Sequence, residues 1–387
     1  MNRSIKVATI GPSGVGKTSL ITAIIDDAQR LLAGKPVSMV ATDETAALVH
    51  RNRDEARSAL SMGEFEAALQ GSQDMRKYHI ALRAGIGRSM EIPFDVLDYP
   101  GKWMSPASQA RQEIAAKWED CLEHIAESVM LLLPIDATVV MEARTDEQRR
   151  AARLLLELSA VEELAREWVK YRIKTPDEPA VLILAPLKCE TYFRGGPHSA
   201  SATQLEKRVQ EEYTYLLHAV REELEGLGAE AARPLVRTIY APIDTYGCVE
   251  LIEAEWTPVP PSGGAGLQLS GRYRVIPPGV QQVRAAGVIV QELCQCILTV
   301  QNQAEAGLQR QELASLRRLE ERHAERKGFW GTIKYHLGDE AVRNRTGRVD
   351  SQRKISSSAD RQQEMKAAIG HLARLGRDDR VRNWEDL

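Results

Sequence analysis

Two short strings near the start of the chain carry residue types and spacings that could do phosphate chemistry. The first is Gly11-Pro12-Ser13-Gly14-Val15-Gly16-Lys17-Thr18, which satisfies G-x-x-x-x-G-K-[ST] at every fixed position. Glycines at those places let backbone N–H groups turn inward around a phosphate, and a helix that follows presents its positive end to the same anion. Lys17 is placed to reach the β- and γ-phosphates and is the catalytic cation, while the Thr18 hydroxyl is placed to ligate Mg²⁺. The phosphate-binding set read from the motif is Gly11, Ser13, Gly14, Val15, Gly16, Lys17, Thr18 and Ser19. The second string is Asp98-Tyr99-Pro100-Gly101, a D-x-x-G. Its carboxylate can hold Mg²⁺ through a water, and its glycine can offer a backbone N–H to a γ-phosphate. Asp95 is the rival carboxylate, but it has no trailing glycine.

Three more positions belong to the same chemistry. A site that senses a γ-phosphate needs a Ser or Thr that closes over the metal from the segment before the second strand. Ser72 has that position, with Thr42 and Thr45 as competitors, so Thr18, Asp98 and Ser72 form the expected metal set. The residue after D-x-x-G often orients the attacking water. Here it is Lys102, a cation that cannot accept a proton from that water, and slow intrinsic hydrolysis is the expectation. Leu187-Lys188-Cys189-Glu190 stands where GTPases carry [NT]-K-x-D, with Lys188 to cover a base and Glu190 in place of the aspartate that accepts from guanine. Thr245, in Ala241-Pro242-Ile243-Asp244-Thr245-Tyr246-Gly247, is expected in a further base-contacting loop. Asp136 is either part of the site or the cap of the next helix.

The elements that must position these residues are legible in outline. Ile5–Ile10 is short and β-branched, and Ser19–Ile25 has apolar residues at helical spacing, so the glycine string lies between strand and helix as a phosphate loop requires. Residues 35–75 are polar and helix-favouring, which predicts a helical insertion beginning near Thr42-Asp43-Glu44-Thr45. Tyr78–Ala84 and Glu91–Leu97 read as paired strands leading to Asp98. Met104–Glu127 reads as a helix with Ile114, Trp118, Leu122 and Ile125 on one face. Ser128–Ile135 and Pro179–Ala185 are nearly all apolar, as strands buried on both faces are. Long helices are expected over about 142–170 and 203–227, and a last strand over Leu235–Ala241. Residues 242–278 are rich in Gly and Pro and predict an irregular excursion, with Gly271–Ile276 as its one short strand. An apolar helix over Gly279–Val300 should close the domain.

Alternation of strands and helices predicts an α/β fold, a three-layer sandwich with a mostly parallel sheet and one antiparallel strand. Ligands in such sheets lie at the carboxyl ends of the strands, where the strings at 11–18, 98–101, 136 and 187–190 all fall. The expected domain spans 1–300, followed by a helical and polar arm over 301–387 with Phe329, Trp330 and Trp384 as isolated anchors.

Composition narrows the class further. At 387 residues, one enlarged domain with an appendage is expected. A net charge of −3 gives no signal for DNA binding, and no apolar run is long enough to span a membrane. The first strand begins at once, so no signal peptide is expected. Five scattered cysteines do not make a disulfide framework, and Cys294 and Cys296 read as reduced core residues of a cytoplasmic protein.

Taken together, Gly11–Thr18, Asp98-Tyr99-Pro100-Gly101-Lys102-Trp103, Leu132-Leu133-Pro134-Ile135-Asp136 and Leu187-Lys188-Cys189-Glu190 resemble the translation-factor-related P-loop GTPases. The D-Y-P-G-x-W string, with an insertion before the second strand, looks most like the bacterial YcjX-like and double-GTPase groups. The resemblance covers about Ile5 to Val300. It implies GTP/GDP and Mg²⁺ as ligands, Lys17 and Thr18 on phosphate and metal, Asp98 and Gly101 in a switch, and Lys188 and Glu190 on the base. Leu187 and Glu190 depart from the family pattern. A GTP-driven switch is the leading expectation, with a homodimer mate or protein effector engaged through the switch loops or the C-terminal arm. An ATP-specific ATPase and a nucleotide-gated scaffold without turnover are the alternatives. A phosphotransferase is disfavoured because no arginine cluster of an acceptor pocket is apparent.

Overall fold

The computed structural model describes residues 4–35, 37–66, 74–84, 90–176, 178–194, 202–226, 236–259, 266–277, 279–299, 367, 369–370, 372–374 and 378–384. Ser72, Phe329, Trp330 and the proposed helical stretch after residue 300 lie outside the described residues.

The chain alternates as expected at its centre. β1 (Ile5–Thr9) leads through the glycine loop into α1 (Lys17–Leu32). β2 (Val37–Ala41), α2 (Asp43–Ser61), β3 (Glu64–Glu66), β4 (Arg76–Ala84) and β5 (Met90–Asp98) follow. A 3₁₀ turn at Gly101–Met104 and the short α3 (Pro106–Gln109) precede α4 (Gln112–Glu127). Then come β6 (Met130–Asp136), α5 (Ala137–Glu142), α6 (Asp146–Leu155), α7 (Leu158–Lys174) and β7 (Ala180–Leu187). The remainder is α8 (Ala202–Glu212), α9 (Thr214–Glu225), β8 (Val236–Tyr240), β9 (Val249–Pro258), β10 (Leu267–Val275), a helix α10 over 287–299 and β11 (Arg382–Asn383).

An eight-stranded sheet in the order β11-β8-β7-β6-β1-β5-β4-β2 forms the centre. β5, β1, β6, β7 and β8 run parallel, so their carboxyl ends open on one edge of the sheet. Both faces are covered. α1 and α10 pack with Val7, Ile21, Ile25, Ile289 and Leu293 on one side. On the other, α4, α7, α8 and α9 bring Trp118, Trp168, Val209 and Leu216 against Leu131 and Leu182. The all-apolar strands β6 and β7 are buried on both faces, which is why their sequences do not alternate. Asp27, buried in α1, accepts the Gly287 N–H at 2.6 Å and so caps α10. Among the described residues, no helix is long and apolar enough to cross a membrane.

Several expectations are corrected. The 35–75 insertion is not wholly helical: Val37 and Met39 alternate with exposed Ser38 and pair β2 to β4, and β3 joins a second sheet. Two strands, not one, oppose the parallel set, β4 beside β5 and β11 beside β8. The 242–278 stretch is largely a β9–β10 hairpin rather than irregular. Its strands alternate outward charge with inward apolar side chains, and Pro258 sits at a strand end where a missing N–H is harmless. The long helix over 142–170 is divided at Glu157, whose φ of 49° breaks the helical run. The 203–227 helix is likewise divided at Tyr213, and the Gly279–Val300 helix starts only at residue 287. On α4, Cys121 lies in the core and Leu122 is exposed, because the buried stripe runs Ile114, Trp118, Cys121, Ile125. The last described residues are docked: Ile369, Leu372, Val381 and Trp384 are buried, and Trp384 stacks on Tyr240 at 5.2 Å.

Candidate functional site

The parallel strands deliver their motifs to one edge. The glycine loop follows β1, Asp98 ends β5, Asp136 ends β6, and Leu187-Lys188 ends β7. Between this edge and α2 lies a cavity of about 690 Å³. Its phosphate-loop wall is Ser13 to Ser19, joined by Tyr99 and Gly101, with Leu187, Lys188, Thr245, Tyr246 and Gln281 at the far end.

At the near end the expected residues come together. The Thr18 hydroxyl donates to the Asp98 carboxylate at 2.7 Å, which ties the first turn of α1 to the end of β5. Lys17 is buried, donates to the Gly11 and Pro12 carbonyls at 2.7 and 2.8 Å, and lies 5.4 Å from the Tyr99 ring centroid. Burial lowers its pKa to about 8, against the pull of the Asp98 and Glu157 carboxylates. Gly16 has φ of 104° and would bring a Cβ to 2.9 Å from the Leu187 side chain, so Leu187 supports the loop from below. Gly101 lies still closer: a Cβ there would stand 2.1 Å from the Ser13 nitrogen and 2.2 Å from the Pro12 carbonyl carbon. Only glycine lets the D-x-x-G loop rest on the phosphate loop.

The rivals at this end have other tasks. Asp95 is three residues from Asp98, so it faces the opposite side of the sheet, where its carboxylate meets His79 Nδ1 at 2.6 Å. Thr42 caps α2, and the buried Thr45 hydroxyl accepts from the His79 N–H at 2.9 Å. Lys102 is exposed on the 3₁₀ turn. As for a divalent metal, Thr18 and Asp98 offer a hydroxyl and a carboxylate oxygen at one point. Hard oxygens in small number are what Mg²⁺ takes from a protein when phosphates and waters complete its shell. The donor set fits that ion.

The far end differs from expectation. Lys188, with φ of 57°, turns back over the loop to the Asp136 carboxylate at 2.5 Å and to the Gly14 carbonyl at 3.4 Å. Asp136 also caps α5 through the Thr138 and Val139 N–H groups, the second of the two roles considered for it. Glu190 is 2% exposed and does not line the cavity. Its Oε1 accepts the Tyr246 and Gly247 N–H groups at 3.1 Å each, which holds the loop after β8 in place. Burial and then the Asp244 carboxylate push the Glu190 pKa up to about 7. Asp244 is itself held by Arg380 Nη1, at 3.2 and 3.1 Å from its two oxygens, and Arg380 lies 4.7 Å from the Phe193 ring centroid. Thr245 and Tyr246 are thus presented to the cavity by buried ionic contacts behind them.

The opposite wall was not foreseen. Asn52, Arg53, Glu55, Ala56, Ala59 and Met62 of α2 and its end, with Phe65 and Arg76, line the cavity. Phe65 stacks on Tyr273 at 5.9 Å and meets Tyr246 at 6.2 Å, so the small sheet β3-β10-β9 carries this wall. Asn52 donates to the Thr22 hydroxyl and to the Tyr78 hydroxyl at 3.1 and 3.3 Å, fixing α2 to α1 and β4. Leu48 and Leu60 of α2 and Phe65 of β3 are partly buried, but no local pattern brings Gln281 to the cavity that Ser19 lines.

No protein-family model matches the chain, and no curated protein matches it. Among solved structures, the chain is similar to the signal recognition particle receptor SRb-GTP/SRX complex from Chaetomium thermophilum, with 13% identity and a TM-score of 0.32. That likeness covers 62% of this chain and 93% of the other. At such a score it has no bearing on activity.

Proposed function

We propose that this chain is a Mg²⁺-dependent GTP-binding and GTP-hydrolysing protein that works as a nucleotide-controlled switch on a P-loop NTPase sandwich. The observation that carries the proposal is the Thr18–Asp98 hydrogen bond, which joins the phosphate-loop hydroxyl to the strand-end carboxylate at 2.7 Å. In that reading, backbone N–H groups of residues 13–18 hold the β-phosphate and Lys17 turns from its loop carbonyls to the β- and γ-phosphates. Thr18 and Asp98 hold Mg²⁺, with Ser72 closing from the segment before β4. Held there, Mg²⁺ would supply neutralisation of the negative charge that develops on the phosphates.

Contact of Gly101 with Pro12 and Ser13 supports the switch. A γ-phosphate beside Lys17 must be met by the 98–101 loop, because that loop already rests on the phosphate loop. Order gained there and lost on hydrolysis is the usual form of such a switch. Hydrolysis is slow in this account, since Lys102 cannot orient water as an acceptor.

The base lies at the end lined by Ser19, Leu187, Lys188, Thr245, Tyr246 and Gln281. Glu190 supports this end from behind. Glu55, exposed on α2, lines the same cavity, and in this reading its carboxylate accepts from guanine N1 and N2. Competition of GTP, GDP and ATP for wild type and Glu55→Gln tests the reading. A guanine preference that is lost in the variant is expected. Equal binding of ATP and GTP by the wild type would replace the GTPase with an ATPase.

A further inference from the structure

Hydrolysis of a bound triphosphate needs more than a metal and Lys17: charge also builds on the γ-phosphoryl oxygens and on the oxygen that leaves. Lys102 is exposed on its turn and does not line the cavity. Another cation stands at the phosphate end. Arg76 opens β4 and lies directly opposite Asp98 in the antiparallel β4–β5 ladder. Opposed residues project on the same face of a sheet. Arg76 therefore shares the face on which Asp98 receives the Thr18 hydroxyl. It lines the same cavity as Lys17, Thr18 and Gly101, and its side chain is partly buried. Among the described residues its guanidinium makes no ion pair, and the Tyr78 hydroxyl lies near enough to feel its charge. An arginine in this place is anchored on a strand rather than on a loop, which limits the entropy lost when it meets an anion.

We propose that Arg76 is a catalytic residue, an arginine supplied by the chain itself to the γ-phosphoryl group. The proposal rests on the nucleotide-binding reading above. In the step, a water oxygen forms a bond to the γ-phosphorus while the bond from that phosphorus to the β–γ bridging oxygen breaks. The electron pair of the broken bond stays on the β-phosphate, and the water proton ends on the released phosphate or in solvent. Arg76 donates to a γ-phosphoryl oxygen and stabilises the charge that grows there, a role an arginine fills with its fixed fork of donors. It does not orient the water, so the reaction stays slow without a further group.

The test compares wild type with Arg76→Ala and Arg76→Lys in single-turnover hydrolysis and in equilibrium binding of GTP and of GDP with aluminium fluoride, a mimic of the transferring phosphoryl group. Arg76→Ala is expected to lose on the order of 10³-fold in rate. It should keep its GTP affinity and lose the tighter binding of the fluoride complex. Added guanidinium should restore part of the rate to Arg76→Ala, and Arg76→Lys should fall between the two. An unchanged rate and unchanged fluoride-complex binding would overturn the proposal. So would a GTP affinity that falls in step with the rate, which would mean that Arg76 only balances Asp98. A wild type that binds no nucleotide at all would overturn the underlying reading and the proposal with it.

Discussion

Asp98 ends one parallel strand of the sheet and Glu190 follows another, and both are buried, yet Asp98 meets the Thr18 hydroxyl of the glycine loop whereas Glu190 holds the backbone of the loop after β8. The phosphate end is built on backbone. Gly16 must adopt a left-handed conformation, Gly101 must touch the phosphate loop, and Thr18 and Asp98 follow at fixed distances along chain and strand. The end proposed for the base is built on side chains from distant segments. Glu190 is taken up by the Tyr246 and Gly247 N–H groups, Asp244 by Arg380 from the far C-terminal region, and Lys188 by Asp136. Where backbone geometry dictates the residue type, position in sequence predicts position in space. Where side chains choose among partners, it does not.

The largest effect should appear at the backbone-built end. Lys17→Ala removes a buried cation that makes charge-assisted hydrogen bonds, and triphosphate affinity should fall by about 100-fold or more in calorimetric titration. Thermal unfolding of the same variant should change less than binding does, because among the described residues the hydrogen bonds of Lys17 go to two loop carbonyls.

Disturbing the base end should give the opposite pattern, stability first and binding second. Arg380→Ala leaves Asp244 buried without its cation, at a cost of about 3 kcal/mol in urea unfolding. Arg382→Ala, exposed on β11, should stay within about 0.5 kcal/mol of wild type. If the two variants unfold alike, the Asp244 contact does not support the loop as described.

The smaller effect is a pH dependence. Glu190 is raised from 4.5 to about 7 in the folded protein, so the native state holds a proton that the unfolded chain has released across that interval. Its contribution to stability is complete below about pH 4.5, declines as pH rises, and is gone above about pH 7. Glu190→Gln keeps an acceptor for the two N–H groups but carries no titrating proton. The difference in unfolding free energy between wild type and variant should therefore shift between pH 5 and pH 8. Asp244, Cys189 and Arg380 face the same cluster and are common to both proteins. A constant difference across that range would remove the assigned titration.

How much was legible follows the same division. The strand–loop–helix at 5–32, the buried strands β6 and β7 and the Asp98–Gly101 turn are written in local periodicity and glycine placement. The β9–β10 hairpin was hidden because the prolines and glycines around it outweighed the alternation of Glu250, Glu253 and Glu255 with Leu251 and Ala254. β2 was hidden in a polar stretch because it is an edge strand with only one neighbour. The cavity wall from α2, and the reach of Arg380 to Asp244 across most of the chain, depend on tertiary contacts that no local pattern encodes.

The central claim is that Thr18 and Asp98 form one metal-assisted phosphate site. Titration of GTP into wild type and Asp98→Asn, each with excess Mg²⁺ and with chelator, tests it most directly. The account predicts that wild type loses about tenfold or more in affinity when Mg²⁺ is removed, and that Asp98→Asn binds equally weakly in both conditions. Wild-type affinity that ignores Mg²⁺, or an Asp98→Asn variant that keeps the full metal dependence, would contradict it.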